Sequence, residues 1–158
     1  MSDVAPTFLE KAVESAVVSA LSTVVTDRPV SGFWSPILVD ESNLDAKTCV
    51  EVTCSPRVGS WGSDIVSFQV EILCMSSVEN DLTGTRLSSA FCSIVNLLAG
   101  WNSDEQAAAD ALSIDGFNAQ GVMISGGDKP GADDALEVWF ATVQIEIKGV
   151  METPETEG

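Results

Sequence analysis

Residues 67–98 read SFQVEILCMSSVENDLTGTRLSSAFCSIVNLL, and the change of period inside this run decides the fold. From Ile65 to Cys74 the chain alternates. Val66, Phe68, Val70, Ile72 and Cys74 share one side of an extended strand, and Ser67, Gln69, Glu71 and Leu73 share the other. Beyond an acidic turn the period lengthens. Over Thr85–Leu98, Leu87, Phe91, Ile94 and Leu98 make the stripe of an amphipathic helix, widened by Ala90, Val95 and Leu97. Asp81 or Thr83 is placed to cap this helix and Gly100 to stop it. A half-wet strand running straight into such a helix predicts an antiparallel sheet with helices laid on one face.

The flanking segments extend that picture. Upstream, Thr48–Cys54 alternates with Val50, Val52 and Cys54 on one side, which makes a hairpin with the next strand. The joining segment Ser55–Ser63 holds Pro56, Gly59 and Gly62 and reads as a long loop. Downstream, Leu136–Lys148 is a closing strand whose Trp139, Ala141, Val143, Ile145 and Ile147 share a face. Ile114–Ser125 is a strand candidate weakened by Gly116 and Gly121, Gly126–Asp134 reads as a turn or mobile loop, and Trp101–Ala111 as a helical turn or loop. At the other end, Phe8–Val24 carries a continuous apolar stripe behind a Thr7/Glu10 capping box and Pro6, with Glu10, Lys11, Glu14 and Ser15 as its polar face. Asp27–Pro29 ends that helix. Ser31–Val39 is then extended, with Pro36 at an edge or in a loop, and Asp40–Lys47 is a polar turn.

The expected fold is therefore α+β: a mostly antiparallel sheet of about four to five strands with two amphipathic helices packed on one face. Residues 1–150 form a single domain and 151–158 a disordered acidic tail.

Composition narrows the chemistry. Of 158 residues 45% are hydrophobic, enough for a sizeable core. No apolar run approaches the roughly 20 residues of a membrane span, and the N-terminus lacks the basic start and apolar stretch of a secretory signal. Seven basic residues face 24 acidic ones, for a net charge of −17. The cations are scattered, so a gripped phosphate backbone is not expected. The chain has no histidine, which removes the commonest general base and the usual partner of a serine or cysteine nucleophile. Cys49, Cys54, Cys74 and Cys92 lack the close pairing of a zinc site and read as buried reduced thiols. The glycines of Ser125–Gly131 fail as a phosphate loop, because Lys129 precedes proline and a strand follows. Asp128, Asp133 and Asp134 lack the alternating spacing of a calcium loop and read as a solvated turn. No catalytic residue, cofactor site or metal site is expected.

Three of the four tryptophans, Trp34, Trp61 and Trp101, fall in or beside irregular segments, where aromatic rings anchor protein contacts. Arg57, Trp61 and Trp101 are the candidate interface residues, with Trp61, between Gly59 and Gly62, foremost.

The order of elements (Phe8–Val24, then Cys49–Cys54 with Ile65–Met75, then Thr85–Leu98, then Leu136–Ile147) resembles the tail terminators, or tail-completion proteins, of long-tailed bacteriophages, and the run 67–98 carries most of that similarity. The resemblance implies a subunit that self-associates into a ring, commonly six-fold, inside the host cytoplasm. Such a ring caps the tail tube, meets the head connector and lets DNA pass without specific binding. It implies no enzymatic activity. Another neck or tail-tube component, or a non-enzymatic α+β ligand-binding module using the sheet's concave face, is the competing expectation. An enzyme working through carboxylates alone ranks below both. If Trp61 anchors a neighbour, Trp61→Ala weakens self-association in sedimentation while circular dichroism stays native; an unfolded variant assigns the ring to the core instead.

Overall fold

The protein is described by a computed structural model covering residues 9–33, 47–59, 64–135 and 137–151. The expectations for Pro6, Thr7 and Phe8, for Trp34, Pro36 and the turn after them, for Trp61 and for the acidic tail lie outside the described residues. The elements are α1 (Leu9–Val24), β1 (Val30–Gly32), β2 (Cys49–Cys54), β3 (Val58–Gly59) and β4 (Ile65–Ser77). A 3-10 turn at Val78–Asn80 follows, then α2 (Thr85–Ser103), α3 (Glu105–Ala111), β5 (Phe117–Asp133) and β6 (Val138–Met151). They build an α+β unit around a 6-stranded sheet of order β1-β2-β4-β6-β5, with β3 beside β4. All pairings are antiparallel except β1 with β2, so the sheet is mixed. Among the described residues three α-helices stand where two were expected, because Trp101–Ser103 continues α2 and Glu105–Ala111 forms α3.

Burial explains the layering. The alternating residues Val66, Phe68, Val70, Ile72 and Cys74 of β4, and Ala141, Val143, Ile145 and Ile147 of β6, are all buried. The helices supply the other half of the core. α1 lies on β1 and β2, α2 crosses β4, β6 and β5, and α3 lies on β5. Leu9, Val13, Val17 and Leu21 face in from α1, and Leu87, Ala90, Ile94, Leu98 and Trp101 from α2, joining the strands in one cluster. Within it the Phe68 and Phe117 rings meet edge to face, with centroids 5.3 Å apart.

Polar side chains settle the helix ends. Asp81 caps α2 from a distance: its two carboxylate oxygens accept from the N–H groups of Arg86 (3.1 Å) and Leu87 (2.9 Å). Gly100 does not stop α2. A glycine inside a helix costs only about 1 kcal/mol, and continuing the helix buries Trp101. The break falls at Asp104, whose carboxylate accepts from the N–H groups of Gln106 and Ala107 and so starts α3. Arg28, its side chain 0% exposed, donates to the Met75 carbonyl (2.8 Å) and the Ser76 hydroxyl (2.6 Å) and pairs with Asp27 (2.8 Å). A further bond to the Arg86 carbonyl ties the segment after α1 to the start of α2.

The glycine-rich run expected as a turn or mobile loop is strand. β5 continues to Asp133, pairing Gly126 with Gln144, Asp128 with Thr142 and Gly131 with Phe140 across three register shifts. Gly121, Gly126 and Gly131 each adjoin a register shift, while Gly127 lets the backbone approach β6. Gly127 sits at φ 149, and a Cβ there would press on the Thr142 carbonyl and come within 2.9 Å of the Val143 Cα. Of the cysteines, Cys49, Cys54 and Cys74 are buried as expected, but Cys92 is exposed, one position off the stripe of α2. Burial pushes the thiols of Cys54 and Cys74 up to about 12 and about 11, which keeps them protonated and poor nucleophiles.

Phe68→Ala should lower the unfolding free energy by about 3–5 kcal/mol in urea titrations, the usual cost of truncating a buried aromatic. A loss under about 1 kcal/mol would mean that the inner face of β4 is not the centre of the core.

Candidate assembly surface

The described helices pack on one face of the sheet, and among the described residues no helix lies on the other. Its residues follow from the register: Leu73 beside Thr142, Glu71 beside Gln144, Gln69 beside Glu146, Ser67 beside Lys148 and Ile65 beside Val150. The middle of this face is polar and internally bonded. The Gln69 amide donates to Glu146 (3.2 Å) and the Gln144 amide to Glu71 (3.0 Å). One end is apolar. Val58 of β3 stands opposite Ser67 and so shares this face, and Val58 and Ile65 are 66% and 48% exposed. Around them lies an open hollow of about 460 Å³ lined by Val58, Gly59, Ile65, Ser67, Glu146 and Lys148. Single exposed apolar side chains are ordinary; two that line one hollow make this end a candidate contact surface.

What holds this end in place is a half-buried charge pair at the start of α1. Arg57 donates its backbone N–H (2.9 Å) and Nε (3.1 Å) to Glu10 Oε2, and its Nη2 to Oε1 (2.7 Å). The two-pronged grip fixes both main chain and side chain of the residue just before β3. The same guanidinium carbon lies 6.0 Å from the Phe68 ring centroid, and Nη1 reaches the Met151 sulfur at 3.5 Å. Four segments thus meet at one cation: α1, the approach to β3, β4 and the end of β6. The hydrogen bonds from Arg57 hold the Glu10 carboxyl below its ordinary 4.5, against the upward pull of burial. One turn on, buried Glu14 accepts the Cys54 N–H at 3.2 Å.

The sequence-predicted interface residues separate here. Arg57 lies at the surface end described above, but its guanidinium is spent on Glu10, so it acts as a clamp and not as an anchor. Trp101 is 3% exposed and packs in the core at the end of α2, which removes it from the surface of this chain. Trp61 lies outside the described residues, between Gly59 of β3 and Asp64. Val58 and Ile65 were missed: Val58 stands alone between Arg57 and Gly59, and Ile65 opens the alternation of β4 on its otherwise polar side, with Ser67, Gln69 and Glu71. Glu10 and Glu14, read as part of the polar face of the first helix, are buried and bonded. Their spacing of four residues beside the apolar stripe is the only trace of their burial that the sequence carries.

Among the described residues, no three His, Cys, Asp or Glu side chains gather in a metal-binding arrangement, and no helix is long and apolar enough to cross a membrane. Compared with models of known protein families and with curated proteins, the chain matches none.

Glu10→Gln should cost about 1–2 kcal/mol at neutral pH, the low end for bonds to a charged group because Arg57 is partly exposed. The sign of the pH dependence follows from the lowered carboxyl. The pair's contribution is complete above the ordinary 4.5 and disappears as pH falls through the lower folded value. Urea titrations of both proteins across the acid range should therefore converge at low pH; a gap that persists there would contradict the clamp.

Proposed function

We propose that the chain is a structural subunit of a long-tailed phage virion, a tail terminator that self-associates into a ring, caps the tail tube and joins it to the head connector. The observation that carries this reading is the apolar end of the helix-free face, where Val58 and Ile65 stand in water on a clamped, preorganised strand pair. Covering such side chains is favourable by about 25 cal/mol per Å² of apolar surface, and a rigid backbone lowers the ordering cost of doing so. The two lateral boundaries of the sheet differ, β1 and β3 on one side and β5 on the other. Contacts made through unlike edges are head to tail, and they close into rings when the rotation allows.

Two further features support an assembly role over catalysis. The buried thiols of Cys54 and Cys74 are held protonated, and the chain carries no histidine to activate a nucleophile. A net charge of −17 repels a phosphate backbone, which suits a subunit that DNA passes without sticking. The order of helix, hairpin, helix and closing strand, on which the resemblance to terminators rests, is retained in the fold.

Light scattering behind size-exclusion chromatography, with negative-stain imaging, tests the reading from low to high micromolar concentration. A discrete ring-sized species should grow in with concentration. Val58→Asp with Ile65→Asp should raise the concentration needed by about tenfold or more, equivalent to about 1.4 kcal/mol. Rings should also bind the ends of preformed tail tubes and halt their growth. A chain that stays monomeric with and without tubes overturns the proposal; rings that stack into tubes assign it to the tube itself, and a monomer that takes up a metabolite makes it a binding module.

A further inference from the structure

The outward turn of Val58 comes from the backbone and not from the alternation of the sequence. Cys54 faces the helices opposite Val70, so a regular strand would send positions 56 and 58 to that same side. The pairing runs differently. Ser55 donates its N–H to the Gln69 carbonyl at 2.9 Å, and Val58 already stands opposite Ser67. Pro56 and Arg57 therefore share the single place opposite Phe68, which is a β-bulge. β2 and β3 are one strand whose two faces are exchanged at that bulge. Arg57 lies over Phe68 on the helix side, and Val58 emerges on the face of Ile65. Pro56 has no N–H to lose, and the Arg57 N–H goes to Glu10 Oε2 at 2.9 Å. Beyond the bulge β3 has two residues, too few to hold themselves.

We propose that Glu10 is the positioning residue of the assembly surface: from the first turn of α1 it holds Arg57, Arg57 fixes the bulge, and the bulge presents Val58 to a second copy of this chain. This role rests on the assembly reading above and adds the residue that controls it. A carboxylate accepts from both prongs of the guanidinium and from the main chain at once, whereas an uncharged side chain of the same shape has one acceptor oxygen. Without the charge the two residues of β3 lose their tie to α1. Facing Glu10 among the described residues are Arg57, Cys54 of β2 and, one turn along α1, Glu14, which accepts the Cys54 N–H. β4 and β6 bring the Phe68 ring and the Met151 sulfur to Arg57, and neither titrates. Burial keeps the Cys54 thiol protonated throughout the acid range.

The test compares the full wild-type chain with Glu10→Gln, by sedimentation across concentration and by amide exchange below the concentration of assembly. At neutral pH Glu10→Gln should need about fivefold to tenfold more protein to assemble. Its Arg57 N–H should exchange fast while Phe68–Cys74 stay as protected as in the wild type. Arg57→Lys, which keeps the main-chain bond but not the fork, should need an intermediate concentration. The gap between wild type and Glu10→Gln should close as pH falls below 4.5 and the carboxylate takes up its proton. Acid removes net repulsion from both chains alike, so the gap is read and not either threshold. Equal thresholds at neutral pH, a gap unchanged in acid, an Arg57 N–H still protected in Glu10→Gln, or a variant whose ladder loses protection would each overturn the proposal and leave the assembly reading standing. A wild type that never assembles overturns both.

Discussion

The fold depends on the pairing of β4 with β6 and on the water-free face that the two strands share. Every residue from Ile65 to Ser77 has a partner between Val150 and Val138, so a thirteen-residue strand is held without a break. Because side chains alternate, one choice of register sends Phe68, Val70, Ile72, Val143, Ile145 and Ile147 inward together; a slip of one residue would send them all into water. The helices have nowhere else to bury their stripes. α2 crosses this face at its middle and α1 flanks it over β2, so both report the same register from above.

Two arginines secure the ends of the ladder. Arg28 joins the far end of β4 to the beginning of α2, and Arg57 joins the near end to the first turn of α1. Each works by hydrogen bonds in a planar fork, which lysine does not reproduce. In a chain with so few cations, placing two of them at opposite corners of one strand has a consequence for function. Both corners are tied by side-chain bonds, and Val58 with Ile65 stand beside the Arg57 corner. The Trp139 indole itself donates to the Asp81 carbonyl at 2.7 Å, fastening β6 to the loop that caps α2.

Much of this was legible in the residues. The alternation of β4, the helical stripe of α2, the closing strand and the first helix are all strong periodic signals, and they name most of the core. What was not legible has a physical cause in each case. The segment Gly126–Asp133 reads as loop because local preference sees glycine and proline, whereas β6 supplies a partner that only tertiary structure reveals. The end of α2 was placed too early because Gly100 is a weak stop when Trp101 has a core to enter. The parallel β1–β2 pairing follows from a three-residue strand, too short to show a period. At the candidate surface, the sequence drew attention to the right loop through Arg57 but to the wrong property: its charge is engaged inside the chain by Glu10. Trp101 looked like an anchor because an aromatic near a predicted loop resembles one, and only its position on the inner stripe of α2 shows otherwise.

Amide hydrogen exchange at low and at high protein concentration probes the central claim, a rigid β4–β6 ladder presenting an adhesive end. The account predicts strong, concentration-independent protection from Phe68 to Cys74 and from Ala141 to Ile147. It also predicts protection that rises with concentration at Val58, Ile65–Ser67 and Lys148–Val150. Rapid exchange in the ladder, or an adhesive end whose exchange ignores concentration, would contradict it.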